Sequence, residues 1–113
     1  MDYEIGSVGK VTKVSLVGRL VASCSESFKS AMLEALKDSK QVLFDLKGME
    51  HIDSSGLGVL VSLLQWTNNN GCSLKLCCLQ PRPRIVFDIT KVCRVFDIYA
   101  TEAEALAAFD AQA

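Results

Sequence analysis

The sequence predicts an α/β fold: a mixed, mostly parallel sheet of about five strands that opens with a hairpin and carries about four helices. Three observations lead there. Strand-like and helix-like patterns follow one another as β-β-α-β-α-β-α-β-α. Residues 41–46 (QVLFDL) are too continuously apolar for a strand with one wet face and suit one covered on both sides. Near the start, Val8-Gly9-Lys10 offers a turn between two strand-like runs.

Each element has its own signal. Residues 3–7 form a weak strand, and residues 11–17 (VTKVSLV) a stronger one that alternates and is rich in β-branched side chains. Residues 25–37 place Phe28, Ala31, Met32, Ala35 and Leu36 at helical spacing, with Ser25 as the expected N-cap. After the strand at 41–46, residues 56–69 read as a helix that Asn68-Asn69-Asn70-Gly71 stops. Residues 73–79 (SLKLCCL) read as a strand. Pro81 and Pro83 punctuate, a short helix is expected over 84–90, and a last strand over 94–99 (RVFDIY). Thr101-Glu102-Ala103-Glu104 is a capping box that opens a C-terminal helix with Leu106 and Phe109 inward. Residues 110–113 are expected to fray.

Composition narrows the function classes. The 113 residues suffice for one domain, expected over 1–113. Half of them are hydrophobic and the net charge is −1, so no overall basic charge points to nucleic acid. Met1-Asp2-Tyr3-Glu4 is acidic where a signal peptide is basic, and no apolar stretch is long enough for membrane insertion. A cytoplasmic location is expected. Cys24, Cys72, Cys77, Cys78 and Cys93 are odd in number and contain no C-x-x-C pair, and His51 is the lone histidine. These are expected to be buried free thiols, with no metal and no cofactor.

The informative stretch is Asp53-Ser54-Ser55-Gly56, which stands between a strand and a strongly helical run. It should be the helix N-terminus, where backbone N–H groups lack intrahelical partners and the dipole is positive. Two readings stay open: capping residues and nothing more, or a hydroxyl placed to carry a phosphoryl group. In the helix, Leu57, Leu60, Val61 and Leu64 can face the core. Val59, Leu63 and Trp66 lie beside that stripe, which points to a deeply buried helix or to an apolar patch for a partner. Gly56 and Gly58 allow a close approach, by a partner's backbone or by the chain's own strands.

Other candidates are weak. His51, Asp53 and Ser54 include the residue types of a hydrolase triad, but no G-x-S-x-G elbow surrounds the serine, so no catalytic residue is expected and His51 is taken as a loop residue. Gly56-x-Gly58 is too short for a dinucleotide fingerprint. Arg82, Arg84, Lys91 and Arg94, broken by Asp88, form either a solvated face or a contact for an acidic partner surface.

Phe44-Asp45-Leu46 followed by Ile52-Asp53-Ser54-Ser55-Gly56-Leu57-Gly58 resembles the central signature of STAS domains, specifically the bacterial anti-sigma-factor antagonists. The resemblance continues through Gly71-Cys72-Ser73-Leu74-Lys75-Leu76 and Phe87-Asp88-Ile89-Thr90, and the element order agrees along essentially the whole chain. It implies a STAS-like fold and a partner switch without enzyme activity of its own. The implied partner is an anti-sigma factor that is also a serine kinase of the histidine-kinase-like ATPase fold. Binding it would release the sigma factor. The implied phosphoacceptor is Ser54, with Ser55 as fallback; phosphorylation would end binding and a PP2C-type phosphatase would restore it. The expected partner surface is Asp53, Ser54, Ser55, Gly56, Leu57, Gly58, Val59, Leu63 and Trp66. The chain departs from the family pattern at Gly18-Arg19-Leu20-Val21, where G-E-L-D or G-E-I-D is usual, losing an aspartate expected near the phosphorylation loop. The alternative the resemblance allows is a STAS subunit of a transporter, or a regulator that binds a nucleotide or small ligand.

Overall fold

β1 (Asp2–Val8) pairs antiparallel with β2 (Val11–Leu20), and Gly9, at φ 61°, makes the turn between them. The computed structural model describes residues 1–112. α1 (Ala22–Ala35) leads into β3 (Gln41–Ile52), which runs parallel to β2. α2 (Ser54–Asn69), β4 (Ser73–Cys77), α3 (Pro81–Ile89), β5 (Asp97–Tyr99) and α4 (Glu102–Gln112) follow, with a 3-10 turn at Val92–Arg94. The strand order is β1-β2-β3-β4-β5, parallel throughout except for the opening hairpin, as the alternation predicts.

Side-chain alternation along the central strands builds two apolar layers. Val42, Phe44 and Leu46 of β3, with Val14 and Leu16 of β2 and Leu74 and Leu76 of β4, meet Phe28, Met32 and Leu36 at α1 and Leu57, Leu60 and Leu63 of α2. Leu43 of β3, Val11 and Cys77 point the other way, onto Ala105 and Phe109 of α4. All five residues from Val42 to Leu46 are buried, which is why that run carries no polar alternation. α2 packs on the sheet and also against α1, so it needs more than one apolar stripe.

Several boundaries differ from expectation, each for a physical reason. α1 starts at Ala22, and Ser25 is no cap: its hydroxyl donates to the Val21 carbonyl at 2.7 Å inside the first turn. β3 continues to Ile52, so His51 is an exposed strand residue and not part of a loop. β2 likewise extends to Leu20, and the β2–β3 register shifts between Ser15 and Val17 and again between Gly18 and Arg19. β4 ends at Cys77, because Cys78 adopts a left-handed backbone with φ 61°. α3 begins at Pro81, since a proline in the first turn gives up an N–H that would have no intrahelical partner. β5 is only three residues long: the 3-10 turn takes Arg94, the first residue of the expected strand, and Val95 and Phe96 lie in the turn and bend that follow it. The Thr101 hydroxyl caps α4 by accepting the Glu104 N–H at 3.1 Å, and Phe109 is buried while Leu106 is half-buried. Asp110 is still helical; of the four residues expected to fray, Ala113 lies outside the described residues.

Candidate functional site

The turn from β3 into α2 is held by one carboxylate. Asp53 is the N-cap of α2, and its Oδ1 accepts the Gly56 N–H at 3.0 Å. Its Oδ2 accepts the N–H of Ala22, the first residue of α1, also at 3.0 Å. Val21, where the family pattern has an aspartate, is the N-cap of α1 and makes no side-chain cap. Asp53 therefore supplies from across the site the cap that α1 lacks locally. These hydrogen bonds, led by that from Gly56, hold the Asp53 carboxyl below its ordinary range, with His51 adding a small electrostatic pull. At neutral pH the start of α2 thus already carries a fixed negative charge.

Ser54 and Ser55 occupy the first two positions of α2, and both are exposed. The two glycines that follow are not equivalent. A Cβ on Gly56 would stand 2.2 Å from the Leu20 carbonyl oxygen, so its missing side chain admits the chain's own β2. A Cβ on Gly58 would meet nothing within 4 Å. Ser54 and Gly58 are four residues apart and share a helix face. That face continues through half-buried Val61 and Ser62 to exposed Gln65.

The residues of the expected partner surface differ in exposure. Val59 and Leu63 are buried, at 4% and 1% exposure, on a helix that packs both on the sheet and against α1. Gly56 and Leu57 are buried as well, and Trp66 is half-buried against the core. Val61 and Leu64, expected to face the core, are only partly buried. The residues actually presented beside the serines are Gly58, Val61, Ser62 and Gln65. Helical spacing could have found them only with knowledge of where α1 packs.

The remaining candidates lie elsewhere. Arg82, Arg84, Lys91, Arg94 and Asp88 are all exposed, as are Ile85, Ile89 and Val95. An open cleft lined by Val8 to Thr12, Asp38 to Gln41, Gly71 and Ser73 lies at the N-terminal ends of the parallel strands, away from Ser54. Small ligands of open α/β sheets usually bind at the opposite, carboxyl ends. Among the described residues no helix is long and apolar enough to cross a membrane. The cysteines are unbridged, but only Cys77 is buried; Cys24, Cys72, Cys78 and Cys93 are half-buried. Asp45, Cys77 and Cys78 stand together as a set that could hold a metal.

Comparison with known proteins agrees with this geometry. The anti-sigma F factor antagonist of Paenibacillus polymyxa is 28% identical over 95 residues, spanning 82% of this chain and 81% of that protein. The solved structure of an anti-sigma-factor antagonist (STAS) domain protein from Planctomyces limnophilus superposes with a TM-score of 0.84 at 28% identity, covering 96% of this chain and 97% of that one. The Bacillus cell fate determinant SpoIIAA, solved in its phosphorylated form, shares the fold with a TM-score of 0.72 at 19% identity, over 96% of this chain and 99% of that one. The STAS domain model matches residues 3–105. With the hairpin-led sheet and the Asp53-capped turn both in place, the chain belongs to the STAS domain family.

Proposed function

We propose that this chain is an anti-sigma-factor antagonist, a binding protein and not an enzyme, which docks on an anti-sigma factor through the exposed face at the start of α2. Phosphorylation of Ser54 ends that docking. The observation that carries the reading is the position of Ser54: an exposed hydroxyl on the first residue of α2, on the same face as the open space over Gly58. The names of the relatives support the general role, and the phosphorylated SpoIIAA structure supports a phosphoryl group on a fold of this kind.

The electrostatics favour a switch. A phosphoserine adds roughly −1.5 to −2 charge. The helix dipole offsets only ~0.3–1 kcal/mol of its cost in an exposed setting. The Asp53 carboxylate is already engaged by Gly56 and Ala22, so its charge adds to the phosphate's. The fold can carry the group because Ser54 is exposed, whereas a partner seated over Gly58 meets a dense negative charge at close range. Each tenfold loss of affinity corresponds to about 1.4 kcal/mol. In the transfer itself, the Ser54 oxygen forms the new bond to the γ-phosphorus of ATP held by the kinase partner, ADP leaves, and the serine proton passes to a base of the kinase. A PP2C-type phosphatase would reverse the modification by hydrolysis.

The test is affinity purification with this chain as bait, together with intact-mass analysis after incubation with ATP and the captured kinase. The wild type should recover an ATPase of the histidine-kinase-like fold and gain one phosphate. Ser54→Ala should still bind but gain none, and Ser54→Glu should bind at least ~10-fold more weakly. Absence of phosphate from both Ser54 and Ser55, or equal binding by Ser54→Glu, would overturn the proposal.

A further inference from the structure

A second site lies on the opposite face of the sheet. Parallel pairing of β3 and β4 sets Asp45 directly across from Cys77, and both side chains point toward α4. In a regular strand the next residue, Cys78, would turn to the other face. Its left-handed backbone, φ 61°, breaks that alternation, and Cys78 joins the α4-side cluster with Cys77. One donor atom from each of Asp45, Cys77 and Cys78 lies within 4.8 Å of the others. We propose that these three residues bind one thiophilic divalent cation of the zinc class.

The donors match that chemistry. Zinc takes thiolate sulfur at about 2.3 Å and carboxylate oxygen at about 2.0–2.2 Å in a tetrahedral shell. Neighbouring donors then stand roughly 3.3–3.8 Å apart, so this cluster has to draw in by about 1 Å. Two sulfurs with one oxygen select zinc, cadmium or cobalt over magnesium or calcium, which prefer all-oxygen sites. Asp45 is already oriented, since its Oδ1 accepts the Lys47 N–H at 3.0 Å. The Cys78 backbone is fixed in turn by its N–H, which donates to the Tyr99 carbonyl at 3.1 Å.

Lys13 stands beside the cluster. Its ammonium stands 3.7 Å from Asp45 Oδ2 and bonds the Glu102 carboxylate. Lys13 is partly exposed on a long, flexible stem, so it can withdraw toward solvent. Water completes the tetrahedral shell. Burial pushes the Cys77 thiol above its ordinary range. Metal entry forms two metal–sulfur bonds and one metal–oxygen bond, and each thiol that binds gives up its proton to solvent as it becomes a thiolate ligand.

The site escapes a spacing rule because no C-x-x-C repeat announces it. Asp45 and Cys77 are far apart in sequence and meet only through strand register. It is independent of Ser54, so its failure would leave the switch proposal untouched.

The test is titration of the full, reduced chain with cobalt(II) alone, followed by competition with zinc. One equivalent should bind, giving a sulfur-to-cobalt charge-transfer band and the visible bands of tetrahedral cobalt. A variant carrying Cys24→Ser, Cys72→Ser and Cys93→Ser should keep both. Cys78→Ser and Asp45→Asn should each weaken binding by about 100-fold, since loss of even outer-shell partners costs 10- to 100-fold. Should those variants not fold, X-ray absorption on the zinc-loaded wild type decides the matter, with two sulfur neighbours expected. No saturable binding, a band that survives Cys78→Ser, a band lost in the triple variant, or a sulfur count other than two would each overturn the proposal.

Discussion

Asp53 ties two helix starts together, and that has a consequence in acid. Its folded-state carboxyl lies below the ordinary value near 3.9, chiefly through the Gly56 hydrogen bond and then that from Ala22. A depressed carboxyl contributes stability that is complete above the unfolded value and drains away as pH falls through the folded one. Asp53→Asn should therefore be less stable than the wild type at pH 7, and the gap should narrow below about pH 4; urea midpoints at pH 7 and pH 3 check this. The glycines nearby give a paired prediction. Gly56→Ala drives a Cβ into the Leu20 carbonyl and should destabilise the chain by about 1–3 kcal/mol or more. Gly58→Ala enters open space inside a helix and should stabilise by about 0.5–1 kcal/mol. Urea denaturation of the two variants should give shifts of opposite sign, and Gly58→Ala should bind the anti-sigma partner more weakly despite its firmer fold.

Elements whose signals are local were legible in the sequence. α2 is bounded by the Asp53 cap and the Asn68-Asn69-Asn70-Gly71 stop, both within one turn of its ends, and both hold. The start of α1 was not legible, because the group that satisfies it, Asp53, lies 31 residues away. The second half of β3 was hidden for a related reason: Lys47, Glu50 and His51 are exposed and read as a loop, while Met49 and Ile52 alone turn inward. Which side of α2 stays exposed was left open by the sequence, because helical spacing alone does not say that α2 packs on both the sheet and α1. α4 is the simplest element to test, since a single aromatic side chain supplies most of its anchor. Phe109 is fully buried against Val11, Leu43 and Cys77. Phe109→Ala should cost about 3–5 kcal/mol. That is a large part of the 5–15 kcal/mol that such chains possess. A matching fall in the urea midpoint with an unchanged slope is the expected result; little change would mean that α4 is held by something else.

At the scale of the whole molecule, buried area and strand position rank the stability of the parts. β3 lies between two parallel neighbours, with Val42 to Leu46 shielded on both faces. β1 is the opposite case: an edge strand with all seven residues exposed. Tyr3, which meets the Phe28 ring edge-on at 5.8 Å, is one of its few ties to the helical layer. Edge backbone with little buried area opens locally, while central strands exchange only when the whole chain unfolds. The chain should therefore open in steps, β1 first and β3 last. The Ser54 turn is tied to the rigid part: Ile52 is buried at the end of β3, Gly56 presses on Leu20, and Asp53 bridges to α1. A charge placed on Ser54 should thus change docking without loosening the fold. Amide exchange read by mass spectrometry on the wild type and Ser54→Glu tests both parts together. β1 amides should exchange orders of magnitude faster than those of Val42 to Leu46, and the α1 and β3 peptides should be equally protected in both proteins. Loss of protection at β3 in Ser54→Glu would show that the added charge acts by unfolding the site, not by repelling a partner from it.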